Sequence, residues 1–203
     1  MSTLQCEATL VVARHADAAY VETFFSDEGG ALTLEGRRQA AALADALRGR
    51  RIAHVWCSDS SRCVQTAEIA ASRLGVGVTP RKALREVYVG ELTGEPFSLA
   101  AIEKITDQWL DGDLAARFPG GESGEDVVAR HREELGAIAD LHRGETVLVV
   151  AHQTAAGFAL PVLTGRLSRA WCAEHQLRNG EAAELVVDAD DWQLRGWGPV
   201  SLG

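Results

Sequence analysis

Arg14 and His15 stand side by side at the end of the apolar run "ATLVVA" (8–13), and His152 closes a second such run, "TVLVVA" (146–151). A further cation, Arg62, falls in "CSDSSRCVQTAE", just past the apolar stretch "HVWCS" (54–58). If one rim gathers these four, two guanidinium forks and two imidazoles make a cationic hole matched to a tetrahedral dianion, and phosphate is the obvious guest. Nearby cations disfavour imidazolium, lower the pKa of His15 and keep a ring-nitrogen lone pair available at neutral pH. That nitrogen can attack phosphorus and carry the phosphoryl group until water removes it, which divides one hard displacement into two easier ones.

The elements that must position these groups alternate in type. The runs at 8–13 and 146–151 are β-branched and apolar at nearly every position, as strands covered on both faces are. "LTLEGRRQAAALADALRG" reads as a helix with Thr33 as its N-cap and Gly49 near its end, and it leads into the strand at 54–58. "SSRCVQTAEIAASRLG" repeats the helical pattern and closes on Gly75, followed by a short strand before Pro80. Periodicity weakens from about 81 to 122, leaving one helix near 98–110 that carries Trp109, so this stretch reads as an inserted segment covering the site. Ser123 and Asp126 form a capping-box pattern at the head of a long amphipathic helix, and 182–188 with 192–198 read as a hairpin split by an acidic turn. Strand and helix in alternation imply one α/β domain over residues 1–203, a three-layer α/β/α sandwich. Its mainly parallel central sheet has helices on both faces, and ligands bind outside the carboxyl ends of its strands.

Taken in order, "RH" after an apolar strand, "LTLEGRRQA", "RCVQTA", "LREVYVGELTG", "PGGES" and "VAHQ" resemble the histidine phosphatase superfamily, also called phosphoglycerate mutase-like, over about residues 8–165. The resemblance implies that His15 is the phosphorylated nucleophile, that Arg14, Arg62 and His152 clamp the phosphate, and that Glu86 protonates the leaving oxygen. A carboxylic acid there is chemically apt, because an alkoxide leaves poorly and the same group can later accept a proton from the attacking water. Ala16 replaces the glycine that usually follows the first histidine, Gln153 follows the second, and Thr93 stands where many relatives carry another glutamate. The methyl group of Ala16 is expected to narrow the approach to phosphate. Mutases of this type resemble R-H-G-E-S-x-x-N, whereas Ala18 and Val21 occupy the serine and asparagine positions here. Hydrolysis is therefore favoured. The expected activity is that of a metal-independent phosphomonoesterase working on a small phosphorylated metabolite through phosphohistidine. Protein phosphohistidine hydrolysis, mutase-type phosphoryl transfer and a non-catalytic phosphate-binding role are the alternatives.

The chain's 203 residues suffice for one sizeable core, and a formal charge of −9 argues against nucleic acid or acidic membrane surfaces as partners. No apolar run approaches the roughly 18 residues of a membrane span. Four cysteines lie scattered without a C-x-x-C pair and the N-terminus lacks a signal-peptide pattern, so a reduced, cytoplasmic setting is expected. Cys63 is read as a bystander. His54, His131, His142 and His175 lack acidic or cysteine partners at ligand spacing and are assigned to surface or packing, with no metal or cofactor expected. Trp109, Phe97 and Tyr20 are candidates for the substrate mouth, with core packing the safer reading for any one of them, and a homodimer is compatible with the sequence.

Overall fold

The computed structural model describes residues 6–19, 24–26, 29–165, 168–189 and 191–201; Tyr20 and Val21 lie outside them. β1 (Ala8–Arg14), β2 (Ile52–Ser58), β3 (Val78–Arg81) and β4 (Thr146–Ala151) pair in parallel, and β5 (Ala182–Asp188), β6 (Asp191–Trp197) and β7 (Val200–Ser201) extend the sheet antiparallel. The spatial order is β3-β2-β4-β1-β5-β6-β7. The parallel half is the body that carries the cations.

Apolar residues on both sides of a strand mean a helix layer on each face. Along β1, Leu10 and Val12 join one cluster and Val11 and Ala13 the other; along β4, Val147, Val149 and Ala151 separate in the same way from Leu148 and Val150. The first cluster is closed by α4 (Gly124–Leu141), α5 (Gln153–Thr164) and α6 (Arg169–Glu174). The second is closed by α1 (Leu34–Leu47) and α2 (Ser61–Leu74), whose alanines, among them Ala40, Ala44, Ala67 and Ala70, let the helices approach closely. This is the expected three-layer sandwich.

Register decides the site. β1 pairs with β4 from Thr9 opposite Thr146 through Arg14 opposite Ala151, so the next residues, His15 and His152, leave the sheet side by side. The His15 amide donates to Ala151 O at 2.9 Å and extends the ladder by one bond. Residues of 81–122 meet α4 and α5 through a separate apolar cluster of Val87, Val89, Trp109 and Phe118, with α3 (Leu99–Leu110) beside it.

Some boundaries differ from expectation. β3 runs through Pro80 rather than stopping before it, which its place at the sheet edge allows because an edge strand needs no donor on its open side. α5 and α6 follow His152 where the sequence reading assigned no helix; Gly157 and Pro161 inside α5 mask its periodicity. Among the described residues no helix is long and apolar enough to cross a membrane.

Thr33 caps α1 through Gly36 N and also donates to Asp17 Oδ2 at 2.6 Å. A Cβ at Gly36 would lie 1.9 Å from the Asp17 carbonyl oxygen. Alanine is ordinarily better than glycine in a helix by about 1 kcal/mol. Here the backbone clash wins, and Gly36→Ala is expected to lower stability by about 2 kcal/mol or more in urea denaturation; a stabilised variant would contradict the packing described.

Candidate active site

His15 and His152 are buried, with ring centroids 5.4 Å apart at 65°. Arg62 rises from the first turn of α2 between them. Its Nε lies 3.2 Å from His15 Nε2 and its Nη2 3.0 Å from His152 Nδ1. A guanidinium only donates, so both ring nitrogens accept, and each proton sits on the other nitrogen. His15 Nδ1–H therefore donates to Ala16 O at 2.8 Å, and His152 Nε2–H to Ser58 Oγ at 2.9 Å. Both imidazoles are neutral in this arrangement.

Burial is the largest reason for that neutrality, ahead of the cations that the sequence pointed to. It takes His15 down to about 4, with the charges of Arg62 and Arg14 adding to it and the Ala16 carbonyl opposing. His152 is held well below the usual value first by burial, then by Arg62 and by His15 itself.

The loop after β1 is fixed by groups far away in sequence. Ala16 N donates to Thr66 Oγ1 at 3.1 Å, Asp17 N to Gln39 Oε1 at 2.8 Å, and Asn179 Nδ2 to His15 O at 2.9 Å. The Ala16 methyl does not line the cavity; it packs with Ala18, Leu32 and Ala40, so the narrowing expected from it does not occur. Arg14 donates from Nη1 to Leu177 O at 2.9 Å, and its side chain lines the same cavity as His15, Arg62 and His152.

Glu86 reaches the cavity from the other side, at the N-terminus of α5. Its Oε1 accepts from Ala155 N at 2.7 Å and Val87 N at 3.0 Å, and its Oε2 from Thr154 N at 3.1 Å. Two of these donors are amides of the first turn, which have no partner inside a helix and present a partial positive charge. Arg130 of α4 secures the chain around Glu86, donating to Ala83 O and Arg85 O at 2.8 Å each and to Glu86 O at 3.3 Å while paired with Glu122 at 2.6 Å. Arg85 is paired with Asp59.

All five residues singled out from the sequence, Arg14, His15, Arg62, Glu86 and His152, thus border one cavity of about 1220 Å³. Ser58, Thr66, Arg130 and Asn179 were not singled out; each is one polar residue whose partner is a main-chain or ring atom elsewhere in the fold, which leaves no local pattern. Phe97 lines the cavity, whereas Trp109 is wholly buried and donates to Ala116 O at 2.7 Å, a core residue rather than part of the mouth. The Cys63 thiol is buried, pushed up to about 12 by desolvation, and does not line the cavity. His131 is buried with Nδ1 on Val127 O, and His54 lies on Thr79. Ser123 caps α4, with the reciprocal Asp126 bond.

The family model of the histidine phosphatase superfamily (branch 1) matches residues 10–199. A probable phosphoglycerate mutase, GpmB, of Yersinia enterocolitica is 32% identical over 176 residues, 85% of this chain and 80% of that one. The native structure of a mycobacterial glucosyl-3-phosphoglycerate phosphatase superposes with a TM-score of 0.77 at 25% identity, covering 95% of this chain and 99% of that one. A structure of that mycobacterial phosphatase complexed with VO3 gives a TM-score of 0.76 at 26% identity, covering 94% and 98%.

Two outcomes follow from the buried imidazoles. In ¹⁵N-detected NMR, His15 is expected to remain neutral and protonated on Nδ1 down to about pH 5; titration near 6.5 would contradict the geometry. His131 is taken down to about 3 by burial and Arg130, so the three buried imidazoles, His15, His131 and His152, carry folded-state values below their unfolded one. Below about pH 6.5 the unfolded chain then binds more protons than the folded one. Stability should fall from pH 6.5 toward 4 by up to about 1.4 kcal/mol per pH unit for each imidazole. Urea midpoints at pH 7.5 and 5.0 measure this, and equal midpoints would contradict it.

Proposed function

We propose, because the chain belongs to the histidine phosphatase superfamily (branch 1), that it is a metal-independent phosphomonoesterase acting on a small phosphorylated substrate through a phosphohistidine on His15. The observation that carries this reading is Arg62 between two neutral imidazoles, with the His15 proton held on Nδ1 by Ala16 O. The Nε2 lone pair is then the one that faces an incoming phosphoryl group.

In this reading the ester dianion takes over guanidinium donors of Arg62, joined by those of Arg14. As Arg62 Nη2 turns from His152 to the phosphate, His152 Nδ1 takes a proton from solvent, donates it in a hydrogen bond to a phosphoryl oxygen, and returns it to solvent when inorganic phosphate leaves. These three groups meet the charge on the phosphoryl oxygens, so the reading calls for no metal ion. His15 Nε2 forms a bond to phosphorus as the bond from phosphorus to the ester oxygen breaks. The leaving oxygen receives a proton from Glu86, whose Oε2 accepts one amide where Oε1 accepts two and so keeps a site for that proton. Water then attacks the phosphohistidine, Glu86 takes the water proton, and inorganic phosphate leaves with His15 neutral again.

Mutase-type transfer is the second reading, favoured by the likeness to a probable phosphoglycerate mutase. Against it, Ala18, at the serine position of the mutase pattern, is buried and bridged to Leu32, and offers no hydroxyl to a substrate. Given 3-phosphoglycerate, a hydrolase releases inorganic phosphate, whereas a mutase returns the 2-isomer.

Enzyme mixed with a ³²P-labelled phosphoester and quenched in alkali should retain label that acid removes, and His15→Ala should retain none. Label that survives acid would overturn the reading. Glu86→Gln is expected to lower hydrolysis of an alkyl phosphate by about 100-fold or more, and treatment with a chelator to leave it unchanged.

A further inference from the structure

The wall of the cavity opposite the cations is apolar beyond what phosphate binding requires. Six large hydrophobic side chains are exposed among the described residues, and four of them, Phe24, Tyr88, Phe97 and Leu99, line this one cavity at 46–58% exposure. Single exposed apolar groups are ordinary, but a cluster at the mouth of a pocket marks the surface that a ligand covers.

The wall is also built in advance. Phe24 bridges Pro96 in antiparallel fashion, Phe25 N donates to Glu95 O, and Gly94 N donates back to Phe25 O, each at 2.9 Å. The Phe25 and Phe97 rings lie 5.1 Å apart at 47°. Leu99 and Ile102 stand one turn apart at the head of α3 and continue the wall, and Val87 and Val89 are buried in the cluster that supports it. Of the other cations that line the cavity, Arg85 pairs with Asp59 and Arg130 with Glu122, which leaves Lys82 as a further charge at the mouth. A volume of about 1220 Å³ exceeds what a phosphoryl group on a three-carbon acid fills and stands above the roughly 300–1,000 Å³ of pockets that hold drug-sized ligands.

We infer that the alcohol released from the substrate is bulky and apolar, an aryl or long alkyl group laid against Phe25, Tyr88, Phe97, Leu99 and Ile102, rather than a hydroxy acid or a sugar. This inference rests on the phosphatase reading above. The phosphoryl end is held by charge, and the rest of the substrate is held by removing apolar surface from water.

Ethyl and n-hexyl phosphate test it, because their alcohols are of nearly equal acidity and differ only in four methylenes. Each fully buried methylene is worth roughly fourfold in kcat/KM. The expected result is at least a tenfold advantage for hexyl phosphate, reduced in Phe97→Ser and Leu99→Ser, two exposed positions where the fold tolerates a polar group. A wild-type advantage below tenfold overturns this inference while phosphate release from ethyl phosphate leaves the phosphatase reading standing. No phosphate from either ester, together with no acid-labile label on the protein, overturns both.

Discussion

Arg62 donates to His15 and to His152 at once, and it is itself buried. A guanidinium accepts nothing, so the contact exists only while both imidazoles are neutral. Much of the structure can be traced to this requirement. Burial suppresses imidazolium on both rings, the Ala16 carbonyl and the Ser58 hydroxyl hold their protons on the far nitrogens, and the parallel register of β1 and β4 brings the rings within reach of one side chain. A slip of one residue between those strands would turn one histidine to the other face of the sheet and break the arrangement.

The sequence displays this plan unevenly. Fully apolar strands, helix caps at Thr33 and Ser123 and the stop at Gly75 are local signals, and the structure agrees with each. The meeting of Arg14, His15, Arg62 and His152 was legible because parallel strands share a carboxyl edge, so that residues following two such strands are forced together. What could not be read was whatever depends on main-chain atoms or on lone polar residues. The Glu86 carboxylate is held by amides of α5, a helix whose glycine and proline hide its period, and the chain around it is secured by Arg130 through carbonyl groups. The direction of the Ala16 methyl was equally hidden, since it follows from small residues on β1, α1 and the intervening loop packing together.

The two halves of the cavity are of different kinds. One is charged and rigid, fixed by strand register and by hydrogen bonds to Thr66, Gln39 and Asn179, and in the proposed function it holds the phosphoryl group. The other is aromatic and aliphatic, fixed by pairing of the chain at Phe24–Phe25 with that at 94–96. In the proposed function such a division would let one catalytic edge serve many esters, with the wall choosing among leaving groups that the phosphate clamp cannot distinguish.

The central claim is that His15 Nε2 is the atom that meets phosphorus inside the clamp formed by Arg14, Arg62 and His152. A crystal structure with orthovanadate tests it most directly, because vanadate adopts the five-coordinate geometry of phosphoryl transfer. Vanadium bonded to His15 Nε2, with its equatorial oxygens within hydrogen-bond distance of the two guanidinium groups and of His152, is the result the account predicts. Vanadate bound away from this rim, or on any other atom of the protein, would contradict it.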